Sequence, residues 1–367
     1  MTTEDVRPGI LQRVLTDYRA VFFDLLADSF PAGLEIAAGE ARPEEQIRPG
    51  TPQKAGFYPV KNIHILKGGL YLCQQRGVIE WLTEFNPDVL IVEGNPRYLS
   101  TPQAIRWMHQ RNRPVIGWGL GVPASGGLRS SLRITFLKEF DAIITYSRQG
   151  KVGYVTAGIP EEKVFIAPNA AAFRPAAEAP ARQLSFVDTR LTVIFVGRLQ
   201  DRKRVDLLIR ACSQLDEQMQ PKLIIVGDGP ERASLERLAG QIYPLAVFEG
   251  DRRGKELDDL FRKADLFALP GTGGLSLQQA LAFALPAIAA EGDGTQVDLV
   301  RPENGWLVKP GDLESLRRTL QIALSDPETL TQKGRESFRI VREEINLERM
   351  AEIFEEAVHY VLKQGSG

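Results

Sequence analysis

Short apolar runs alternate with longer amphipathic stretches almost throughout this chain, and few architectures tolerate that pattern. A run of four to six apolar residues bounded by turn signals is a strand buried on both faces. A following stretch of helical period is the crossover that returns the chain to the same end of a parallel sheet. In the first half, segments 88–93 (Asp-Val-Leu-Ile-Val-Glu), 114–119, 141–146 and 163–167 read as strands, with a helix over 102–110. The alternation restarts in the second half. Strands are expected at 191–196, 222–226, 245–248, 266–269 and 287–289, with helices at 204–215, 230–238, 255–264 and 276–283, and a long amphipathic helix at 346–362. Segment 173–182 is rich in Ala and Pro without periodicity and reads as a linker. The expectation is therefore an α/β chain of two Rossmann-like domains, 1–176 and 177–345, with 346–367 a helix returning to the first. Ligands of such sheets bind beyond the carboxyl ends of the strands, in a cleft that both domains would face.

Composition narrows the function classes. The 367 residues suit two ordinary domains, and 45 Lys and Arg against 47 Asp and Glu give a net charge of −2, without the basic excess that nucleic acid would call for. The acidic start argues against a secretory leader, and no apolar run approaches the ~18 residues of a spanning helix. Cys73 and Cys212 fall in different expected domains, so a disulfide framework is not expected and the cytoplasm is the default compartment. Three histidines limit the acid–base candidates. His109 lies in a helical stretch and reads as structural, His359 as surface, and His64 follows a strand-like run.

Three strand-to-loop junctions in the second half are specialised. In the first, Gly197 ends a strand and Arg198 and Lys203 follow, two cations before a helix. That is an anion site if they converge on the helix start and solvated charge if they do not. In the second, Gly227 and Gly229 either let the backbone approach a ligand or simply make a tight turn. In the third, Gly271-Thr272-Gly273-Gly274-Leu275 opens a helix whose first amides could hold a diphosphate. In the first half, Arg129, Arg133 and Lys138 lie among Leu128, Leu132, Phe136 and Leu137. They read as a solvated helix face, or as a contact for an anionic or lipid-linked acceptor.

These junctions, with segments 195–211, 223–230, 264–270, 280–288 and 304–312, resemble the donor domain of the retaining, GT-B-fold glycosyltransferases of family four, or group one, over about 170 residues. The first half is similar more faintly, through Tyr146-Ser147 and 167–169. The resemblance implies transfer of a sugar from a UDP- or GDP-sugar to an acceptor hydroxyl with retention, without metal and with no cofactor beyond the nucleotide-sugar co-substrate. Arg198 and Lys203 would bind the donor diphosphate and stabilise charge on it as it leaves. The loss of one such preorganised donor costs about 3–4 kcal/mol of barrier. The partners implied are a nucleotide sugar and a glycan or lipid-linked acceptor, with no nucleic acid. A peripheral contact at the inner membrane face is a further expectation.

Three positions depart from the family pattern. The family's two glutamates fall here on Gly271 and Gln279, and its donor-facing histidine on Leu120, followed by Gly121. Gln279 keeps the ability to hydrogen-bond a ribose diol. Gly271 is expected to leave open space beside the donor sugar and so to alter recognition of that sugar. A non-catalytic sugar-nucleotide-binding partner subunit is the alternative. An epimerase would need a cleft acid–base pair that the sequence does not offer, and a dehydrogenase would need a Gly-x-Gly-x-x-Gly after its first strand.

Overall fold

The computed structural model describes residues 5–45, 47–122, 128–176, 178–180 and 190–364, the side chains of 128–131 excepted. They form two compact units, 1–168 with 347–367, and 169–346.

Unit 1 runs β1 (Pro8–Val14), α1 (Asp17–Ala27), β2 (Glu35–Gly39), β3 (Gly56–Pro59), β4 (Lys61–Ile65), β5 (Leu72–Arg76), α2 (Val78–Phe85) and β6 (Val89–Glu93). It continues with α3 (Thr101–His109), β7 (Val115–Gly119), α4 (Leu128–Leu137), β8 (Ala142–Thr145), α5 (Arg148–Thr156) and β9 (Val164–Ile166). Its seven-stranded sheet has the order β3-β2-β1-β6-β7-β8-β9 and every pairing in it is parallel. β4 and β5 form a separate antiparallel hairpin. Val89, Leu90, Ile91 and Val92 are all buried, as a strand covered on both faces requires. The strands expected at 88–93, 114–119, 141–146 and 163–167 are present, the first two shorter by one residue at the start and the others by one at each end.

Unit 2 runs β10 (Thr192–Val196), α6 (Val205–Ser213), β11 (Lys222–Val226), α7 (Arg232–Ile242), β12 (Ala246–Gly250), α8 (Gly254–Lys263) and β13 (Leu266–Leu269). Then come α9 (Leu275–Ala282), β14 (Ala287–Ala290), α10 (Thr295–Leu299), β15 (Gly305–Val308), α11 (Leu313–Ser325) and α12 (Pro327–Glu343). Its sheet order is β12-β11-β10-β13-β14-β15, parallel throughout. The helix expected from Pro230 begins at Arg232, with Pro230 in the turn before it.

The last helix, α13 (Leu347–Gln364), buries Leu347, Met350, Ala351, Phe354, Ala357, Val358 and Val361 along one stripe at helical spacing. That stripe belongs to unit 1. Phe354 meets Phe22 of α1 and Trp118 of β7 edge-on, with ring centroids 5.0 and 4.9 Å apart. The expected division at 176/177 lies instead at 168/169. The backbone N–H groups of Ala171 and Ala172 donate to Gln278 Oε1 at 3.0 and 2.8 Å, fixing the residues just before the supposed linker onto α9. Residues 177 and 181–182 of that linker lie outside the described residues. Cys73 and Cys212 are both buried free thiols, one in each unit.

Candidate functional site

The topology of unit 2 marks one place for a ligand. β10 is the central strand from which the chain steps outward first to β11 and β12, then in the opposite direction to β13, β14 and β15. The strand order reverses between β10 and β13, and ligands of such sheets bind beyond the carboxyl ends of the strands at that switch point. The loops that border it are 197–204 and 270–274, which contain the cationic and glycine-rich junctions.

Lys203 lies at the end of a single 3-10 turn, Asp201–Lys203, and is 9% exposed. Its Nζ donates to the carbonyl of Thr272 at 2.6 Å. The two loops are tied further by Thr272 N–H to Arg202 O at 3.1 Å and by Arg202 Nη1 to Thr272 Oγ1 at 3.2 Å. A Cβ on Gly273, which sits at φ +142°, would fall 2.3 Å from Lys203 Nζ. That φ suits glycine, since an L side chain there is strained, and the ammonium lies where the side chain would begin. Burial lowers the Lys203 pKa to about 8. The neighbouring Arg202 charge acts in the same direction, and Asp293 opposes both. A buried ammonium with one carbonyl partner retains donors and charge for an anion. Arg198, on the same loop, is half-buried.

The second component is the start of α9. Gly274 is its N-cap, and the amides of Leu275, Ser276 and Leu277 have no acceptor within the helix. They present three donors at the positive end of the dipole. The loop before them is held from below, where the buried Gln296 donates to Gly273 O and accepts from Asp293 N–H at 3.0 Å. Thr295 Oγ1 donates to Asp293 Oδ1 at 2.6 Å. Lys203, the loop 272–274 and the start of α9 therefore come together, with Arg198 on the adjoining segment. Among the described residues no group of three or more His, Cys, Asp or Glu lies close enough to hold a metal ion.

The other glycines have different reasons. Gly197 N–H donates to Val226 O at 3.0 Å and Leu199 N–H to Asp228 O at 2.9 Å, so the loops after β10 and β11 are zipped together. A Cβ on Gly227 would lie 2.0 Å from Gly197 O, and one on Gly229 2.3 Å from Leu199 O. Close passage of one loop over another accounts for both, and no approach to a ligand is needed. Gly271 corrects the sequence reading more sharply. It is buried, and a Cβ there would lie 2.3 Å from Arg202 O and 2.6 Å from the Lys203 carbonyl carbon. The backbone of the cationic loop fills the space expected to be open. Gln279 stands half-buried on α9. Its neighbour Gln278, which sequence reasoning passed over, is fully buried, and its Nε2 donates to Ile345 O at 3.0 Å while its Oε1 holds Ala171 and Ala172. The Gln-Gln pair was the available signal, since on a helix two successive residues face different ways.

Unit 1 has its own switch point, between β1 and β6. There Arg13 N–H donates to Glu93 Oε2 at 2.6 Å, and Arg13 Nη1 donates to Glu45 Oε2 at 2.9 Å. Burial raises the Glu93 pKa. Burial acts in the same sense on Glu45, but Arg13 and Arg42 overcome it and hold that carboxyl at about 2. His64 Nδ1 lies 2.8 Å from Tyr71 Oη, the two rings stacked, and His109 Nε2 lies 3.3 Å from Asp141 Oδ2. Leu120 is 53% exposed after β7. Gly121, at φ +132°, passes the start of α5, where a Cβ would lie 3.0 Å from Gly150 Cα. In the basic segment 126–140, Leu132 is exposed and Phe136 and Leu137 turn inward, while 126–127 and the side chains of 128–131 lie outside the described residues.

Comparison with known proteins agrees with this arrangement. Residues 178–338 match the family described as Glycosyl transferases group 1. The sulfoquinovosyl transferase of Arabidopsis thaliana is 34% identical over 145 residues, 37% of this chain and 27% of that protein. The GDP-mannose-dependent alpha-mannosyltransferase of Mycobacterium tuberculosis is 39% identical over 131 residues, 35% of this chain and 32% of that protein. The match thus spans about a third or less of these relatives' lengths. The fold of Anabaena HepE, solved in complex with UDP, superposes with a TM-score of 0.73 at 16% identity, covering 97% of this chain and 100% of that one. The two parallel α/β units are of the GT-B type, and residues 178–338 of the second unit match the group 1 glycosyl transferases.

Proposed function

We propose that the chain transfers a sugar from a UDP- or GDP-sugar to an acceptor hydroxyl, with retention of configuration and without a metal ion. The observation that carries this reading is the ammonium of Lys203, buried against the Thr272 carbonyl at the switch point of unit 2 and beside the open amides of α9. As the glycosidic bond breaks, negative charge grows on the leaving diphosphate. Fixed donors in a dry site stabilise that charge without having to reorganise. Lys203, Arg198 and the amides of Leu275 and Ser276 supply them. Gln279 would meet the ribose. The acceptor, a glycan or a lipid-linked sugar, would be read at the β1/β6 edge of unit 1. There the half-buried Glu93 and the Arg13–Glu45 pair offer both an acceptor and a cation. The leaving diphosphate would take the acceptor's proton.

The test offers UDP-, GDP- and dTDP-sugars with a mixed pool of glycan and lipid-linked acceptors and follows nucleotide release, with the anomeric configuration of the product read by NMR. Turnover that persists in chelator and gives retained product is the expected result. Tight nucleotide binding without transfer to any acceptor would favour a binding partner subunit. Turnover lost in chelator and restored by manganese or magnesium would show that the cationic loop is not sufficient.

A further inference from the structure

The β4–β5 hairpin of unit 1 is amphipathic in the wrong sense for a soluble protein. An antiparallel pair beside a core turns its apolar side chains inward and its polar ones to water. Here the register Lys61↔Arg76, Asn62↔Gln75, Ile63↔Gln74, His64↔Cys73 and Ile65↔Leu72 places Asn62, His64, Cys73 and Gln75 on one face. That polar face is the one tied to the body of the unit. Asn62 Nδ2 donates to Arg13 O at 2.7 Å, Gln75 Nε2 donates to Gln12 O at 3.0 Å, and Cys73 is fully buried. The opposite face bears the exposed Ile65, the half-buried Ile63, Leu72 and Gln74 and the pair Lys61 and Arg76, and the turn beyond it adds Leu66 and Leu70, exposed by 59% and 66%.

Leu66 sits at φ +62°, in the left-handed region that a branched side chain disfavours, although glycines follow directly at 68 and 69. Local stability would place a glycine or asparagine there. The charge of the element is equally one-sided. Lys61, Lys67 and Arg76 are exposed, and residues 61–76 contain no acidic side chain, in a chain whose net charge is −2.

We propose that this hairpin docks on an anionic lipid surface, with Leu66 and Leu70 entering the headgroup boundary and the three cations resting among the phosphates. Apolar side chains ringed by cations match such a surface, where burial and attraction add. No helix among the described residues is long and apolar enough to cross a membrane, so the contact would be peripheral. Strand β5 also pairs with the loop after β6, Cys73 N–H donating to Arg97 O at 2.9 Å. The surface would therefore lie close to the β1/β6 edge of the same unit. The docking does not depend on the transfer reaction.

The experiment mixes the full chain with phosphatidylcholine vesicles, with and without phosphatidylglycerol, and measures cosedimentation at low and high salt. Binding is expected only with the anionic lipid and is expected to weaken with salt. Lys67→Glu should lower the affinity about tenfold. A Leu66→Gly/Leu70→Ser variant should lose it at least as far, while its thermal midpoint stays level, since glycine suits φ +62°. UDP binding measured in the same samples should be unchanged, which separates failure of this proposal from failure of the donor site. Absence of binding to anionic vesicles, or full binding by the leucine variant, would overturn the proposal. So would concentration-dependent self-association of the wild type that the variant abolishes, because a second copy would then cover this face.

Discussion

The two units share one plan and put it to different use. Each is a parallel sheet with a switch point beside its first strand, β1/β6 in one and β10/β13 in the other. In unit 2 the crevice is bordered by backbone. Loop 197–204 packs so closely on the loops after β11 and β13 that a Cβ on Gly227, Gly229 or Gly271 would meet its backbone, and one ammonium is fixed on the Thr272 carbonyl. In unit 1 the same edge is bordered by side chains, with Arg13, Glu45 and Glu93 linked and a hairpin laid above them. A crevice of main-chain amides and a cation suits a ligand part of fixed chemistry, such as a diphosphate. A crevice of long side chains can be changed residue by residue, which would suit the acceptor recognition proposed for it.

The comparison can be broken most directly by replacing Lys203. Lys203→Ala is expected to reduce turnover about a hundred- to a thousandfold, as loss of one preorganised donor does. Arg13→Ala should leave the affinity for UDP unchanged. A second result would confirm that the ammonium is held at a cost. Its pKa of about 8 lies below the 10.5 of an unfolded chain, so between those values the unfolded state binds more protons and stability rises with pH. Below pH 8 the buried charge costs the free protein roughly 3 kcal/mol. Lys203→Met at pH 7 should therefore show a thermal midpoint no lower than wild type while losing nucleotide affinity. A clearly lower midpoint would mean that Lys203 is a structural residue.

Gly271→Ala tests the zipped loops. It should destabilise unit 2 by about 1–3 kcal/mol, because the added methyl meets the Arg202 and Lys203 backbone, and UDP affinity should fall with it. If calorimetry and thermal unfolding both return wild-type values, the position is open after all. Gln278→Leu should cost about 2 kcal/mol, since it strands the N–H groups of Ala171 and Ala172 and the Ile345 carbonyl, with Gln279 and the nucleotide unaffected. The smallest expected effect is that of pH on binding. The anionic diphosphate favours protonated Lys203, so UDP affinity should drop about tenfold as pH rises from about 7 to 9, through the value near 8. A flat profile would remove Lys203 from the contact.

Unit 2 was legible in the sequence to the degree that its signals were local. Thr192–Val196, Leu266–Leu269 and Ala287–Ala290 are buried on both faces and so read as unbroken apolar runs. Arg198, Lys203 and the loop 272–274 stood out because cations and glycines follow strand ends. The reason for each glycine was not legible, because Gly227, Gly229 and Gly271 answer to backbones distant in sequence. In unit 1, β1 carries Gln12 and Arg13 next to its apolar residues, and the hairpin alternates in the reverse sense, so neither presented the run that marks a covered strand. Glu93 ends a strand that was read correctly. Its meeting with Arg13, 80 residues away, depends on the sheet order alone.

The central claim is that the cation held over the glycine loop of unit 2 binds a nucleoside diphosphate. Calorimetric titration of UDP and GDP into the wild type, Arg198→Ala, Lys203→Ala and Arg13→Ala tests it most directly. Each unit 2 variant should weaken binding of the preferred nucleotide by at least about tenfold, roughly 1.4 kcal/mol, with Arg13→Ala at the wild-type value. Equal affinity in all four proteins, or no binding of either nucleotide to the wild type, would contradict the account.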